Sequence, residues 1–311
     1  MTFVMAGSIV TATAAKAEEL WDPYLRGVFE GVPAGALPPP GVYGELDNYW
    51  TSYSMYGQPF GREQGDGAGS KVPGTHLSAL VEVPAVIWVP GIKILGADYG
   101  AAISQPFDYT SFQPFQHASG GGGNVGIYNT ILVPGMLSWS LPHHIYVRVG
   151  LTVLFDDAST TMADLSKGKL TNGGAPSGNG YTTMQPDLGF SWLSNGWNVS
   201  VGTHYAVPVT SDHYNGNSFH SAAEFSADYT VTKTIGRWTL GVGGEQENQF
   251  GKDTLNGAPE PQSQTSNYAV GPIVGYEFAG GVGVTAYWNH SFATRNDVAG
   301  DFFNVRLTTR F

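Results

Sequence analysis

Three residues that commonly bind metals or carry protons recur at a spacing of four, as His220, Glu224 and Asp228. On a strand that spacing puts them on one face but too far apart to converge on a single ion, so the pattern predicts a polar row and no metal centre. Gly120-Gly121-Gly122-Gly123-Asn124 has the glycine content of a phosphate-cradling loop. No Lys-Ser or Lys-Thr follows it and no helix is predicted, which makes it a hairpin tip. Serines and histidines are plentiful, but no Gly-x-Ser-x-Gly elbow is present, so neither catalysis nor a cofactor is expected.

The wider set of charged and imidazole side chains on polar faces is Asp98, Arg148, Asp187, His204, His220, Glu224, Asp228, Glu245, Arg306 and Arg310. These are the candidates for lining a ligand path, because charges at membrane depth are expensive unless they face water or each other. Five are acids and three are arginines. An acidic lining disfavours anions and suits a neutral or weakly cationic solute.

These residues need strands to carry them. Twelve alternating segments lie near 41–57, 75–90, 94–106, 123–136, 142–157, 181–194, 196–208, 218–232, 236–251, 266–279, 281–293 and 300–311. The connections between them alternate in length. The even-numbered ones are brief, as at Gly91-Ile92-Lys93, Leu137 to Leu141, Asn195 and Gly280, while the odd-numbered ones are longer and polar. That sorting predicts an all-β, 12-stranded antiparallel transmembrane β-barrel with short periplasmic turns and long extracellular loops.

The last segment is the clearest. Phe303, Val305, Leu307 and the terminal Phe311 share one face, and Asn304, Arg306, Thr308 and Arg310 the other. Its apolar face is the predicted lipid face, and its terminal aromatic is the expected handle for the barrel assembly machinery. Ile145, Val147, Val149, Leu151, Val153 and Phe155 repeat the pattern, as do Tyr268, Val270, Pro272, Val274, Tyr276 and Phe278. Trp139, Trp192, Trp197 and Trp238 stand beside short turns, where an interfacial girdle is expected. In the second segment the alternation is diluted, and Leu80, Val86 and Trp88 fall on the face assigned to the lumen. Pro84, Pro186 and Pro272 interrupt strands of a barrel that has no free edge, so each predicts a bulge or a shifted boundary.

Composition excludes other classes. Gly 43, aromatic residues at 13% and charged residues at 13% describe strands and polar turns rather than helices. A net charge of -11 with 14 scattered Lys and Arg argues against nucleic acid. The absence of cysteine excludes thiolate metal sites and disulfides. Phe3 to Ala15 is uncharged and mostly small or apolar, and Ala15-Lys16-Ala17 has the form of a signal-peptidase site; residues 1–17 are therefore expected to be a signal peptide, lacking only the basic n-region. Residues 18–40 are Pro-rich and carry Trp21, Tyr24 and Phe29. They are expected to be either a periplasmic leader or a plug in the lumen, with the barrel spanning 41–311.

Val89-Pro90-Gly91-Ile92-Lys93-Ile94-Leu95-Gly96-Ala97-Asp98-Tyr99-Gly100, Gly271 to Tyr276, and Asn289 to Asn296 together resemble the outer-membrane family named for the meta-pathway of phenol degradation. That family is grouped with the outer-membrane transporters of long-chain fatty acids and aromatic hydrocarbons. The resemblance covers roughly residues 33–311. One departure is that His290-Ser291 stands where the family usually has an acidic residue, with Thr294 before Arg295. The resemblance implies uptake of hydrophobic or aromatic small molecules through the outer membrane of a Gram-negative bacterium. The expected partners are outer-membrane lipid and the small ligand. Two alternatives stand beside this reading. An outer-membrane hydrolase of the esterase or lipase kind would show itself by activity on an ester, and a structural or adhesive barrel by a sealed lumen.

Overall fold

A strand that is apolar on one face and polar on the other can cross a membrane only if its backbone is paired on both edges, which for a sheet means closure. The computed structural model, which describes residues 21–57, 69–112, 122–170, 174–261 and 263–311, has that closure. The expected signal peptide, part of the glycine run and residues 18–20 lie outside the described residues. The barrel strands are β1 (Gly41–Tyr56), β2 (Leu77–Val89), β3 (Ala97–Ser104), β4 (Ile131–Leu141), β5 (Ile145–Leu154) and β6 (Thr183–Ser194). They continue as β7 (Trp197–Pro208), β8 (Glu224–Ile235), β9 (Trp238–Gln249), β10 (Ser266–Glu277), β11 (Val282–Arg295) and β12 (Asp297–Arg310). Each pairs antiparallel with its sequence neighbours, and β12 closes the ring on β1 from Tyr43 opposite Arg310 to Tyr56 opposite Asp297.

Above β3 and β4 the wall extends as a hairpin, Phe107–Phe112 against Asn124–Ile127, which takes over pairing with the upper half of β2. A separate sheet of four short strands, Asp212–Tyr214, Asn217–His220, Thr254–Leu255 and Ala258–Pro259, caps the same end. The other end has tight turns such as Pro142–His144 and Asn195-Gly196. Asn195, at φ 49°, and Gly196, at φ 78°, both adopt the left-handed backbone that such a turn requires.

The faces divide as alternation demands. Val149 is 39% exposed on the outer wall, whereas its neighbour Arg148 is 4% exposed inside. Trp192, Trp197 and Trp238 point outward beside the short turns, and Trp139 donates its indole N–H to the Leu95 carbonyl there. Toward the long loops the outward aromatics are Tyr205, Phe225 and Phe250, with Tyr268 beside Phe292. From Tyr268 to Phe278 the strand rises roughly 26 Å along the axis at a tilt of about 40°, the height of a hydrocarbon band. An arginine at Val149 enters that band, so Val149→Arg is expected to cost about 2–4 kcal/mol, while Thr152→Arg, on the inner face, costs much less. Unfolding in lipid vesicles measures both, and equal losses would show that this phase of β5 is wrong.

Several expectations need correction. The fourth strand was expected at 123–136 with a turn at Leu137 to Leu141, but β4 runs on through that stretch, Ser138 inward between Leu137 and Trp139, and stops at Pro142. β8 begins at Glu224 rather than near 218, because Asn217–His220 joins the outer sheet. The eleventh connection is not a long loop but Asn296 alone, at φ 48°. In β2 the expected inner face is the outer one: Val86 and Trp88 are exposed, and Leu77, Ala79, Val81 and Val83 are buried inside. Both faces of β2 are apolar, so periodicity could not set its phase.

The three strand prolines cause no register shift. Pro84 lies opposite Leu46 and Pro186 opposite Leu151 in unbroken registers. Instead the ladder opens locally. β6 and β7 pair through His204 and Asp187 and resume at Val207 and Met184, and β10 and β11 pair through Val270 and His290 and resume at Ile273 and Tyr287. A missing N–H costs one rung, and neighbouring rungs hold the register. The shifts that do occur are between Gly100 and Ala102, Leu132 and Gly135, and Tyr268 and Ala269.

Candidate functional site in the barrel lumen

Residues 21–40 carry the apolar anchors Trp21, Leu25, Val28 and Phe29 between polar residues and prolines, too irregular for a helix and with no free strand edge to join. They lie inside the barrel as a series of turns. At Pro40 the chain leaves β1 by the short-turn rim, where Arg310 donates to the Pro40 carbonyl at 2.7 Å. At the far end the Trp21 indole N–H donates to the Pro176 carbonyl at 2.6 Å, and Asn179 donates to the Trp21 carbonyl at 2.8 Å, both partners belonging to a long loop.

Glycines permit the close approach. A Cβ on Gly189 would stand 2.0 Å from the Ala34 carbonyl oxygen, and one on Gly243 would stand 2.3 Å from Glu30 Oε2. Backbone groups of this irregular stretch need partners once buried, and the inner wall supplies them. Asp228 accepts from the Tyr24 hydroxyl and from the N–H groups of Gly27 at 3.2 Å and Phe29 at 2.7 Å. Thr230 accepts from Gly31 N–H, and Ser191 from Gly35 N–H. Arg306 donates to the carbonyls of Glu30 at 2.8 Å and Val28 at 2.6 Å while its Nε holds Asp47 at 2.9 Å.

The lumen is chemically two-sided. On one side Tyr49, Tyr53, Leu77, Val81, Val83, Val298 and Phe302 form an apolar wall on which Trp21 and Leu25 pack. On the other, β8, β9 and β12 present Glu224, Asp228, Glu245, Glu247 and Asp297, all buried. Arg26 crosses to that side and contacts Glu247 at 2.5 Å and Asp297 at 2.7 Å.

Between the segment and the wall of β2 to β5 lies a cavity of about 710 Å³. Val83, Ala85, Ile87, Val133, Met136 and Leu154 line it from the wall, and Leu25, Val28, Val32 and Leu37 from the segment. It reaches the short-turn rim at Tyr43, Glu277 and Arg310, and its upper end meets Arg148, Gln185 and His204. That volume and lining suit a small, largely apolar molecule.

A family model, described as the MetA-pathway of phenol degradation, matches residues 61–307. The chain belongs to that family. Among solved structures, an outer membrane channel from Pseudomonas putida F1 superposes with a TM-score of 0.72 at 12% identity, covering 89% of this chain and 98% of the channel. The translocator domain of the autotransporter NalP from Neisseria meningitidis gives 0.50 at 9% identity, over 89% and 91% of the two chains. At such identities the likeness concerns the fold, an outer-membrane β-barrel. No curated protein matches the chain. The family match begins beyond β1, so the segment in the lumen lies outside it.

The candidate residues of this family member separate into three groups. Arg148 and Asp187 form a buried pair at 3.1 Å, and His204 is stacked between Tyr24 and Phe29, with centroid separations of 4.1 and 5.1 Å. The Arg148 guanidinium lies over the Phe29 ring at 4.4 Å. Glu224, Asp228, Glu245 and Arg306 also face the lumen, and Trp21 stands edge-on to Tyr128. A second group sits at the rim: Asp98 pairs with exposed Lys93 at 2.8 Å, and Arg310 is exposed. His220 is in neither place. It is exposed in the outer sheet near Ser211, because the chain breaks away at Ser221 to Ala223, where Ala222 N–H donates to Asp253. The expected row of His220, Glu224 and Asp228 therefore does not exist as one face.

Sequence reasoning missed Arg26, Glu30, Glu247 and Asp297 as lumen residues. Glu247 carried a usable signal, since it shares the parity of Glu245 on β9. Asp297 falls between the expected eleventh and twelfth strands, and Arg26 and Glu30 fall in the segment open between leader and plug. At His290, Asp301 on the adjacent strand places a carboxylate 3.0 Å from Nδ1, on the outer face.

Proposed function

We propose that this protein is a passive outer-membrane channel for small hydrophobic or aromatic compounds, with residues 21–40 acting as its plug. The observation that carries the reading is the cavity of about 710 Å³, apolar on both sides and reaching the periplasmic rim. A solute partitions among the long loops, passes the segment as it shifts, occupies the apolar cavity and leaves at the short-turn end. No covalent step is needed. Residues 1–17 direct export, and Phe311 at the end of β12 serves the assembly machinery.

The charge balance supports selectivity for neutral or weakly cationic solutes. Among the described residues of the lumen, Glu30, Asp47, Asp187, Glu224, Asp228, Glu245, Glu247 and Asp297 are buried against Arg26, Arg148 and Arg306. An acidic low-dielectric path repels carboxylates. A deletion strain complemented with the intact chain is expected to recover uptake of toluene, measured with labelled solute, and to take up benzoate poorly. Equal toluene uptake with and without the chain would end the transport reading, and efficient benzoate uptake would end the selectivity claim.

A further inference from the structure

We infer that the acidic side of the lumen holds a hard divalent cation, of the Ca²⁺ type, between the N-terminal segment and the wall. Five carboxylates meet there. Glu245 and Glu247 project inward from β9, Glu224 from β8, Asp297 opens β12, and Asp22 comes from the segment. In the register, Glu247 lies opposite Ser226 and one inward position from the level of Glu224, and Glu245 lies opposite Asp228. Ligand oxygens of Asp22, Glu247 and Asp297 lie within 4.8 Å of one another.

Arg26 is the only guanidinium in contact with this set among the described residues, at 2.5 Å from Asp22, 2.5 Å from Glu247 and 2.7 Å from Asp297. It answers one negative charge of five. Glu245 is 5% exposed and Glu247 is 2% exposed, yet Glu245 Oε2 and Glu247 Oε1 have no hydrogen-bond partner. Glu245 Oε1 is held by the Asn267 amide at 2.9 Å, which fixes the carboxylate while leaving its other oxygen free. Both side chains are close enough to Arg26 and Asp22 to interact with them electrostatically.

Buried carboxylate oxygens without donors are costly, and several of them together require either protons or a cation. The donor set is all oxygen, from flexible carboxylates, with no imidazole or thiolate in it. That chemistry suits Ca²⁺, which takes six to eight oxygens with loose geometry, better than zinc or copper. Because Asp22 belongs to the segment and the four other acids to the wall, a bound ion ties the two together. This consequence rests on the plug reading above; the binding itself does not.

The test uses the full-length barrel, folded in detergent, with Tb³⁺ as the probe ion and Ca²⁺ as its competitor. Trp21, Tyr24 and Tyr53 lie close by and serve as the antenna for sensitised emission. The expected result is saturable emission that Ca²⁺ displaces. In the Glu245→Gln, Glu247→Gln double variant affinity should fall about tenfold or more, since affinity follows the number of ligand charges. Glu277→Gln at the rim should leave it unchanged. Heat-modifiable migration checks that the double variant is folded; if it is not, Asp22→Asn, which alters no wall residue, takes its place. No saturable emission from the parent chain, or emission unchanged in the folded variants, would overturn the site and show that protons alone neutralise the cluster. If the ion binds but removing the segment does not open the pore, the site stands and the plug reading falls. If removal opens the pore and no ion binds, the reverse holds.

Discussion

Deleting residues 18–40 is expected to leave a folded barrel whose single-channel conductance rises several-fold. The described part of the segment, residues 21–40, contributes no strand: β1 begins at Gly41, and the ring of twelve pairings, including β12 to β1, is made without it. In a bilayer that ring satisfies the backbone, so the fold survives. What is lost is interior packing. Trp21 and Leu25 leave the apolar wall and Tyr24 leaves the His204 ring, at about 1.5–3 kcal/mol for each large side chain fully exposed. The wall carboxylates then face water, which lowers their cost. The pore gains cross-section at every level from Pro176 to Arg310, the span over which the segment touches the wall. Planar-bilayer recording of both chains measures the change, and equal conductance would return residues 21–40 to the role of a leader with no part in gating.

The second large effect is expected at the seam. Arg306 is 1% exposed and binds Asp47 at 2.9 Å, Glu45 at 3.7 Å and two carbonyls of the segment. Arg306→Gln leaves Asp47 buried with only the Asn304 amide, at 2.5 Å, beside the second carboxylate of Glu45. Removing one partner of a buried ion pair costs about 3–5 kcal/mol, because the remaining charge is left uncompensated. Denaturant unfolding in lipid vesicles should show that loss, and the double variant Arg306→Gln, Asp47→Asn should recover part of it. Toluene uptake should persist, since the residue positions and does not carry solute. A loss below about 1 kcal/mol would remove the structural role. Benzoate transport that is efficient in the parent and abolished by Arg306→Gln would assign Arg306 to substrate instead.

Much of the barrel was legible in the chain because a wall between lipid and water forces alternation at period two, and the hydrocarbon thickness limits strand length. The run from Phe303 to Leu307 shows this face by face, and Glu45 and Asp47 share the parity that sets them facing Arg306 at the seam. Boundaries failed where a local signal competed. Leu137 to Leu141 resembles a turn in composition but keeps its alternation until Pro142, and Asn217–His220 alternates well but pairs in the outer sheet.

The interior was decided by tertiary structure. Alternation states which side chains point inward but not what they meet there. The inward face of β2 is apolar because it receives Trp21 and Leu25, a contact that disguised the strand's phase. The sequence left residues 18–40 open between leader and plug, since their partners lie far along the chain: Gly27 and Asp228 are 201 residues apart, and Arg26 and Asp297 are 271 apart. Contacts across such separations leave no periodic trace, because each depends on ring closure bringing remote strands to face one another across the same lumen. The sequence by itself thus determined the wall, its faces outside β2, and its acidic charge. Only the closed ring decided that one side of the lumen is apolar, that the other gathers five carboxylates around Arg26, and that the N-terminal segment fits between them.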